Sequence, residues 1–518
     1  KTLRMMRFTI TVLFAIYYYY FRNLNFFEKH GIVHERPTPF FGNLAPFVFR
    51  KMPLLDITKK SYNLHPEAKY VGFYDFSTPI IIIRDIELIK SITIKNFEHF
   101  VDHRNFVDPQ QDPLFGHNLF SLRGDKWRDT RAILSPAFTS SKMKSMFTLM
   151  NISAENFAEF LSQLPEDQKV LEAKDAFGRF ATDVIASCAF GITVNSMKNP
   201  NNEFFLCGKE ISKNFNGFIQ ILKFYLSRNL PNYVNKRLGV RIFSPRVVKF
   251  FEDTIADTMK LRMEQGIQRP DMIQLLMDSK NKAELSPQEM TAQAFVFFLG
   301  GFDTTSTFLA FTVHLLATYP EVLKKLQQEI DECLQEYNGQ FTYEAVNRME
   351  YMDAVLNEVQ RLYPIGIFLD RVCTKDFELP PALPGGKPFT MKKGMYLQIP
   401  VAGLHSDPNF FENPEKFDPE RFIRDGKKIM NSGAYIPFGI GPRICIGNRF
   451  AQLESKIMLC HLLARCDIKV SSKTRIPIRL APSGFTLMSK DGFWVKIEPR
   501  SNSYFLTKSH RANDTCKA

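Results

Sequence analysis

The sequence predicts a mainly α-helical protein with a small β-rich region. Residues 140 to 280 form a series of amphipathic helical patterns separated by short polar breaks. A longer helical pattern begins at Ser286 and continues without interruption to about Tyr319. Strand-like runs of β-branched and aromatic residues occur at Tyr70 to Phe76 and Pro79 to Ile83, around a Ser-Thr turn. We expect this hairpin to be the only sheet-like region before residue 360.

The start and end of the long helix are marked in the sequence. Ser286 is suited to be the N-cap, with proline in the first turn and Glu289 three residues on, and Pro320 follows the last turn. Roughly 30 residues give a helix of about 45 Å. The centre, residues 294 to 313, is apolar on nearly all sides, which is typical of a deeply buried helix or a membrane span. Asp303 and its neighbouring alcohols argue against the span.

Two glycines, Gly300 and Gly301, lie in the middle of this helix. Each is unfavourable there by about 1 kcal/mol relative to alanine, so another gain should offset them. A local widening of the helix, which opens a groove for a small ligand, is one such gain. The acid and alcohol that follow, Asp303 and Thr304, could relay protons to a ligand in the groove. They are our candidate catalytic residues.

A glycine-rich turn from Phe438 to Gly447 holds a single cysteine: Phe-Gly-Ile-Gly-Pro-Arg-Ile-Cys-Ile-Gly. Glycines let the backbone bend sharply and approach a flat ligand. Because a helical period begins at Asn448, Cys445 should lie just before a helix N-terminus, which favours a thiolate. A thiolate in a pocket is a soft ligand for an oxygen-activating iron. Taken alone, such a cysteine is more often a small buried residue.

Two further pairs of residues each have a functional and a purely structural interpretation. Trp127 and Arg131 are four apart in a helix that opens at Asp125, so they share a face. They form either a routine cation–aromatic pair or part of an anion site, since an arginine fork suits a carboxylate. Glu358 and Arg361 also share a helix face, as many exposed pairs do.

Composition restricts the classes of binding partner and the cellular compartment that fit this chain. The net charge is +13, with scattered basic residues, which favours anionic lipid or an acidic protein and makes nucleic acid the weaker interpretation. The 50 phenylalanines indicate either aromatic packing or an apolar cavity. The eight cysteines follow no metal or disulfide spacing, which is typical of a reducing compartment.

The N-terminal residues 1–30 are expected to be a membrane anchor and linker, truncated at the start. Phe8 to Phe21 is uncharged and ends in successive tyrosines that suit a membrane interface, but it is shorter than the roughly 20 residues of a full span. A cleaved signal peptide is the rival interpretation. The strongly apolar stretch from Gly217 to Leu226 is either part of the hydrophobic core or a second membrane contact. Residues 501–518 are expected to be a polar, disordered tail.

The cysteine turn resembles the haem-binding loop of the cytochrome P450 superfamily, Phe-x-x-Gly-x-Arg-x-Cys-x-Gly, with every fixed position filled. The stretch from Gly300 to Thr305 resembles the oxygen-activation motif of the same family. Five such motifs occur in the family's order over about residues 30 to 500, most similar to the insect detoxifying branch allied with vertebrate family 3. The resemblance implies the P450 fold over residues 31–500, with haem buried between the long central helix and the cysteine loop.

The resemblance also implies roles for single residues. Cys445 would be the iron ligand of haem b, and Asp303 and Thr304 would manage protons. Glu358, Arg361 and Arg421 would form a buried structural cluster. The remaining residues expected to contact the haem or its propionates are Trp127, Arg131, Arg371, Phe438 and Arg443.

The implied activity is a haem-thiolate monooxygenase that inserts one oxygen atom from O₂ into lipophilic substrates, such as xenobiotics or endogenous lipids and hormones. Electrons would come from NADPH through NADPH-cytochrome P450 reductase, with cytochrome b5 as an optional second donor, because the chain has no nucleotide-binding glycine motif. Scattered basic residues, Lys126, Arg128, Arg443 and Arg449, would suit docking of that acidic partner. The implied location is the endoplasmic reticulum membrane, with the catalytic domain on the cytosolic side.

Two alternative functions remain open from the sequence. One is a reductase-independent haem-thiolate isomerase or dehydratase that acts on lipid peroxides. Members of that kind often lack the acid–alcohol pair that this chain keeps as Asp303 and Thr304. The other is a non-catalytic protein that binds haem or a lipophile.

Overall fold

The structure is a computed structural model that describes residues 23–501, apart from residues 106, 215–217, 230–231, 270, 280–284, 483 and 485; it also describes residues 7, 10, 11, 14, 17 and 18. Residues 502–518 of the expected tail, 501–518, and most of the expected anchor therefore lie outside the described residues. The chain divides into two compact units. The first unit lies within Lys1–Arg104, Gly366–Lys416 and Lys427–Ile444. The second unit lies within Asn105–Ile365, Phe417–Gly426 and Cys445–Ala518.

The first unit is built on a four-stranded sheet. Its strands lie in the order β1 (Tyr70–Asp75), β2 (Thr78–Ile83), β7 (Tyr396–Ile399) and β4 (Leu369–Val372). Strands β1 and β2 form the predicted antiparallel hairpin, with Tyr70 opposite Ile83. Strand β2 pairs with β7 in parallel, β7 pairs with β4 antiparallel, and β5 and β6 form a separate pair. Strand β5 is Phe377–Leu379, and β6 is Phe389–Met391.

Short helices surround this sheet, and their apolar side chains form one core with it. Phe27, Tyr74, Ile81 and Leu397 are buried members of that core. The helices are Phe26–Lys29, Ala45–Val48, Leu54–Tyr62, Ile86–Lys90, Val401–Leu404 and Gly426–Ser432, with a π-helix at Ser91–Lys95 and a 3₁₀ turn at Phe97–His99.

The second unit is mainly helical, as the amphipathic patterns predict. Its helices are Pro113–Gly116, Gly124–Leu134, Ser140–Ser162, Ala173–Ile185, Glu203–Asn214, Phe218–Asn229, Asn232–Arg237, Pro245–Gln265, Met272–Ser279, Pro287–Leu299, Thr305–Thr318, Pro320–Glu336, Tyr343–Asn347, Glu350–Leu362, Glu420–Arg424 and Asn448–Arg465. The described part of this unit also contains π-helices at Ala186–Phe190 and Gly300–Thr304 and 3₁₀ turns at Ser135–Phe138 and Glu166–Gln168.

One sequence prediction about strands is wrong. The second unit contains a three-stranded sheet of order β3-β9-β8, and its strand β3, Val170–Glu172, precedes residue 360. Strand β3 pairs antiparallel with β9, Trp494–Pro499, which also pairs with β8, Cys466–Lys469. Three residues are too few to show a strand period, and the partner that stabilises them comes from the far end of the chain.

The central helix forms as its sequence signals predict. Ser286 and Glu289 make a reciprocal capping box, and the helix runs from Pro287 to Thr318 through the π-helical segment Gly300–Thr304. The predicted local widening is therefore confirmed, because a π-turn is wider than an α-turn. This 32-residue helix is long and apolar enough to cross a membrane, and its apolar 18-residue window has a mean hydropathy of 1.4, but 67% of that window is buried inside the protein. It is a core helix.

Phenylalanine rings pack around the first half of this helix. Phe298 stacks on Phe302 with ring centres 5.6 Å apart, and Phe251 meets both Phe295 and Phe298. All four side chains are buried. Of the two interpretations of the phenylalanine-rich composition, dense aromatic packing is present in this part of the molecule.

Candidate active site

The candidate thiol lies at the start of a long helix, as predicted. Gly447 is the N-cap of the helix Asn448–Arg465, and Cys445 is two residues before it. The backbone N–H of Gly447 donates a hydrogen bond to the Cys445 thiol, and Arg131 lies within electrostatic reach of the sulfur. The turn thus has the two features that lower the pKa of a thiol, a helix-terminal N–H and a nearby cation.

Burial nevertheless decides the charge of this thiol. Desolvation raises the pKa of Cys445 above its ordinary value, and the Gly447 N–H and the Arg131 charge only partly oppose that shift. The residue is nevertheless exposed, so its thiol is accessible to a ligand. The helix-terminal N–H lowers the pKa of Cys445 as expected, but desolvation outweighs it. A bound metal cation would reverse the balance, since coordination deprotonates a thiol.

Arg131 comes from the helix Gly124–Leu134, together with Trp127. Trp127 is buried, and Arg131 is partly buried. Burial lowers the pKa of Arg131, and its interaction with Cys445 opposes that shift. The alternative of a routine cation–aromatic pair on an exposed helix face does not fit, because Trp127 is buried and Arg131 is partly buried.

Gly441, in the turn before the cysteine, needs to be glycine. Its φ is +75°, and a Cβ atom there would lie 2.1 Å from the carbonyl oxygen of Thr93. Both a left-handed backbone and a close approach therefore exclude side chains at this position. Phe438, at the start of the turn, is partly buried.

Two predicted anion-binding arginines lie in the first unit, and both are buried. The side chain of Arg443 is 2% exposed; its Nε donates to the carbonyl oxygen of Val101 at 2.8 Å. Arg371 is 1% exposed, and one of its terminal nitrogens donates to the carbonyl oxygen of Asp370 at 2.6 Å. The Nε of Arg371 has no hydrogen-bond partner within the described part of the chain. A buried guanidinium with an unused donor is suited to a carboxylate supplied by a ligand.

The burial of Arg443 corrects one expectation about partner docking. A side chain that is 2% exposed and bonded to Val101 cannot contact a protein at the surface. The other three basic residues stay accessible: the Lys126 side chain is 55% exposed, that of Arg128 is 35% exposed, and Arg449 is exposed.

The glycine pair of the π-helical segment has two distinct roles. A Cβ on Gly301 would lie 2.8 Å from Cδ1 of Ile185, so this glycine allows close packing against the helix Ala173–Ile185. A Cβ on Gly300 would meet nothing within 4 Å. Gly300 therefore faces open space, where a small ligand could approach the helix backbone.

The two candidate catalytic residues are held in different ways. The hydroxyl of Thr304 donates to the carbonyl oxygen of Gly300, beside the open space. The Asp303 carboxylate is buried and accepts hydrogen bonds from Lys174 Nζ at 2.9 Å and from Ser212 Oγ at 2.6 Å. The hydroxyl thus stays at the helix backbone, while the carboxylate is linked to two neighbouring helices.

Sequence reasoning missed Lys174, the cation beside Asp303. Its ammonium group also donates to Thr307 Oγ1 at 2.7 Å and to the sulfur of Met488 at 3.2 Å. The one local signal is its position in the first turn of the helix Ala173–Ile185, where acidic side chains are favoured and a lysine is not. Its partners are far away in the chain, so no periodicity reveals them.

A second missed residue, Glu454, connects the central helix to the helix that follows Cys445. Its side chain accepts a hydrogen bond from Thr305 Oγ1 at 3.2 Å. Glu454 is fully buried, and desolvation raises its pKa well above the ordinary value. The buried Glu454 carboxyl group therefore holds the position of Thr305, the residue next to Thr304.

The predicted structural cluster is confirmed in the second unit. Arg361 donates to both oxygens of Glu358 at 2.8 Å, and Arg421 Nε donates to Glu358 Oε1 at 3.1 Å. All three residues are buried. Since they contact one another, they brace the core and are not part of the reacting site.

These observations fit a haem group, although each unit contributes separately. In the first unit, Arg371 has a buried, unused donor for an anion. In the second unit, an accessible thiol lies near Arg131, and open space lies beside Gly300. A soft ligand, a donor for a carboxylate and a gap for a diatomic molecule are the features that haem binding requires.

Comparison with known proteins agrees with this chemistry. The cytochrome P450 family matches residues 34–495. Cytochrome P450 9e2 of Blattella germanica is 43% identical, covering 93% of this chain and 95% of that protein. Probable cytochrome P450 9f2 of Drosophila melanogaster is 41% identical, covering 92% and 96%, and cytochrome P450 6j1 of Blattella germanica is 34% identical, covering 95% and 97%. The chain belongs to the cytochrome P450 family, in its insect branch, and is a haem-thiolate monooxygenase.

Proposed function

We propose that residues 31–500 form a catalytic domain that inserts one oxygen atom from O₂ into lipophilic substrates, xenobiotics or endogenous lipids and hormones. The second oxygen atom leaves as water, with two electrons from NADPH delivered by NADPH-cytochrome P450 reductase and two protons from solvent. Cytochrome b5 serves as an optional second donor of electrons. The observation that carries the proposal is the open space at Gly300 beside the Thr304 hydroxyl, in the same segment as a buried, ion-paired Asp303.

Each candidate residue has a distinct task. Cys445 would hold the iron as a thiolate, Arg131, Arg371, Arg443 and Trp127 would hold the propionates, and Phe438 would contact the haem. When bound, the haem supplies an iron that accepts electrons and activates O₂.

The proton path runs through the π-helical segment. Thr304 holds a hydroxyl proton at the Gly300 carbonyl, where it can be donated into the open space. Asp303 receives protons by way of Lys174 and Ser212, the two donors that contact its carboxylate. A positioned acid and alcohol of this kind typically contribute about 10²-fold or more to rate.

The surface supports the proposed location and partner. Ile10 and Phe14 are 59% and 66% exposed near the N-terminus, and Ile219 and Leu222 are 67% and 43% exposed on the helix Phe218–Asn229. Exposed apolar side chains of this size fit contact with a bilayer, here the endoplasmic reticulum membrane with the domain on its cytosolic side. The exposed basic residues Lys126, Arg128 and Arg449 suit an acidic reductase.

The experiment is reconstitution of the full chain with the reductase in phospholipid vesicles. We expect NADPH consumption and O₂ uptake that depend on a lipophilic substrate, chosen from a panel by its shift of the haem spin state. The Cys445→Ser variant should lose the red-shifted Soret band of the reduced CO complex. Retention of that band would contradict the ligand assignment, and turnover of a lipid hydroperoxide without NADPH or reductase would favour the isomerase function instead.

A further inference from the structure

One short segment of the first unit contacts the buried Arg443 and also Asp370, the residue before the buried Arg371. The segment runs from Val101 to Arg104, and we call it the 101–104 segment. The carbonyl oxygen of Val101 accepts from Arg443 Nε at 2.8 Å, and the Asp102 carboxylate lies 3.8 Å from a terminal nitrogen of the same guanidinium. One end of the segment therefore holds Arg443 from two sides.

The other end of the segment holds Asp370, the residue before Arg371. His103 Nδ1 lies 2.9 Å from Asp370 Oδ1, and the backbone N–H of Arg104 donates to Asp370 Oδ2 at 2.6 Å. Both carboxylate oxygens of Asp370 are thus used. Its carbonyl oxygen in turn accepts from Arg371 at 2.6 Å. His103 consequently acts on Arg371 through Asp370.

A backbone bridge keeps these contacts in register. The N–H of Val372 donates to the carbonyl oxygen of Asp102 at 2.8 Å, which attaches the segment to strand β4. The Arg104 side chain is fixed separately, by an ion pair with Asp75 at 2.5 Å and by packing over the Tyr396 ring. The segment therefore cannot shift without moving strand β4.

One donor of this network is left without an acceptor. Arg104 pairs with Asp75, Arg443 faces Asp102, and the Asp370 carboxylate interacts favourably with the charge of Arg371. The Nε of Arg371 nevertheless has no hydrogen-bond partner among the described residues. Burial lowers the pKa of His103, so the imidazole is neutral, and its Nδ1–H can donate to an ionised Asp370. A purely structural network would use its donors internally, because a buried donor without a partner is costly.

We infer that the 101–104 segment is a positioning element that orients the guanidinium groups of Arg371 and Arg443 towards a dianionic ligand. Within this segment, His103 is the side chain on which the orientation depends most. The inference rests on the proposed haem site, whose two propionates are such a ligand. Removal of a residue that holds a ligand-binding side chain in place typically changes ligand affinity about 10-fold or more.

Haem release tests the inference without relying on turnover. The transfer of haem from the full-length holoprotein to excess apomyoglobin is followed for His103→Leu, His103→Gln and Asp370→Asn. The matched control is Tyr62→Phe, which also deletes a buried hydrogen bond to an aspartate in the first unit, that of Tyr62 to Asp407 at 2.5 Å. The unfolding midpoint of each variant is measured alongside.

We expect His103→Leu to release haem about 10-fold faster than the parent. His103→Gln should remain close to the parent, since an amide can still donate to Asp370, and Asp370→Asn should release haem faster through the weakened contacts. Tyr62→Phe should keep the parent rate even if its unfolding midpoint falls.

Two results would overturn the inference. One is parental haem release by both His103→Leu and Asp370→Asn, and the other is equal acceleration by Tyr62→Phe. Should His103→Leu fail to fold, Asp370→Asn compared with Tyr62→Phe decides alone. A parent protein that retains no haem would instead contradict the proposed haem site, so the two failures are distinguishable.

Discussion

The ammonium group of Lys174 lies 2.9 Å from the carboxylate of Asp303. The pair joins the first turn of the helix Ala173–Ile185 to the π-helical segment of the central helix. Both side chains are buried, at 12% and 4% exposure. Asp303, which we propose to transfer protons, is therefore held in an ion pair. Lys174, the cation of that pair, should determine the orientation of the Asp303 carboxylate.

Removal of this cation should affect stability and coupling together. In Lys174→Met, Asp303 remains buried without its counter-charge, so we expect the free energy of unfolding to fall by about 3 kcal/mol. Product formed per NADPH should also fall, because Asp303 loses one of its two donors. Denaturant unfolding and product counting check both effects.

Lys209→Met is the matched control for this variant. Lys209 pairs with Asp175 at 2.8 Å, but its side chain is 55% exposed, so the loss should stay below about 1 kcal/mol. Equal effects of the two substitutions would show that the Lys174 pair has no special role.

The hydroxyl of Thr304 should be needed for coupling but not for folding. In Thr304→Ala, we expect product per NADPH to fall about 10-fold or more and hydrogen peroxide release to rise, since a positioned proton donor is lost. Thr312→Ala is the control, because Thr312 makes the same kind of bond, to the carbonyl oxygen of Phe308 at 2.8 Å. Unchanged coupling in Thr304→Ala would count against the proton path.

The two glycines of the π-helical segment should respond oppositely to alanine. Gly300→Ala places its methyl group in open space, so we expect a gain of about 1 kcal/mol from helix propensity and slower CO association. Gly301→Ala forces its methyl group onto Ile185, with an expected loss of about 1–3 kcal/mol. Unfolding curves and CO-binding kinetics of both variants test this contrast. Identical behaviour would contradict the assignment of Gly300 to the groove.

Acid should destabilise the protein partly through His314, a buried residue of the central helix. Burial lowers its pKa from 6.5 to about 4, against an opposing backbone hydrogen bond with Arg475. Below pH 6.5 the unfolded chain binds a proton that the folded protein excludes. The neutral imidazole of His314 therefore stabilises the folded protein at neutral pH, and this contribution is lost as the pH falls towards about 4.

The test is the unfolding free energy of the parent and of His314→Leu as a function of pH. We expect the parent to lose about 3 kcal/mol more than the variant between neutral pH and pH 4. Parallel curves would show that His314 does not titrate as its burial indicates. Leucine should itself cost about 1 kcal/mol at neutral pH, because it removes the backbone hydrogen bond with Arg475.

The parts of the fold that the sequence determined are those whose cause is local. The capping box of Ser286 and Glu289, the π-helical segment at Gly300 and the start of the helix after Cys445 each depend on neighbouring residues. The haem-binding signature is also contiguous, which is why ten residues suffice to predict Cys445 as the iron ligand.

Only the tertiary structure decided which partners these residues meet. Lys174 reaches Asp303, His103 reaches Asp370, and strand β3 pairs with β9, all across long stretches of chain. It also decided that desolvation outweighs the helix terminus at the Cys445 thiol, and that Arg443 is buried. Local patterns encode secondary structure, whereas burial and pairing of charges depend on which distant segments the fold brings together.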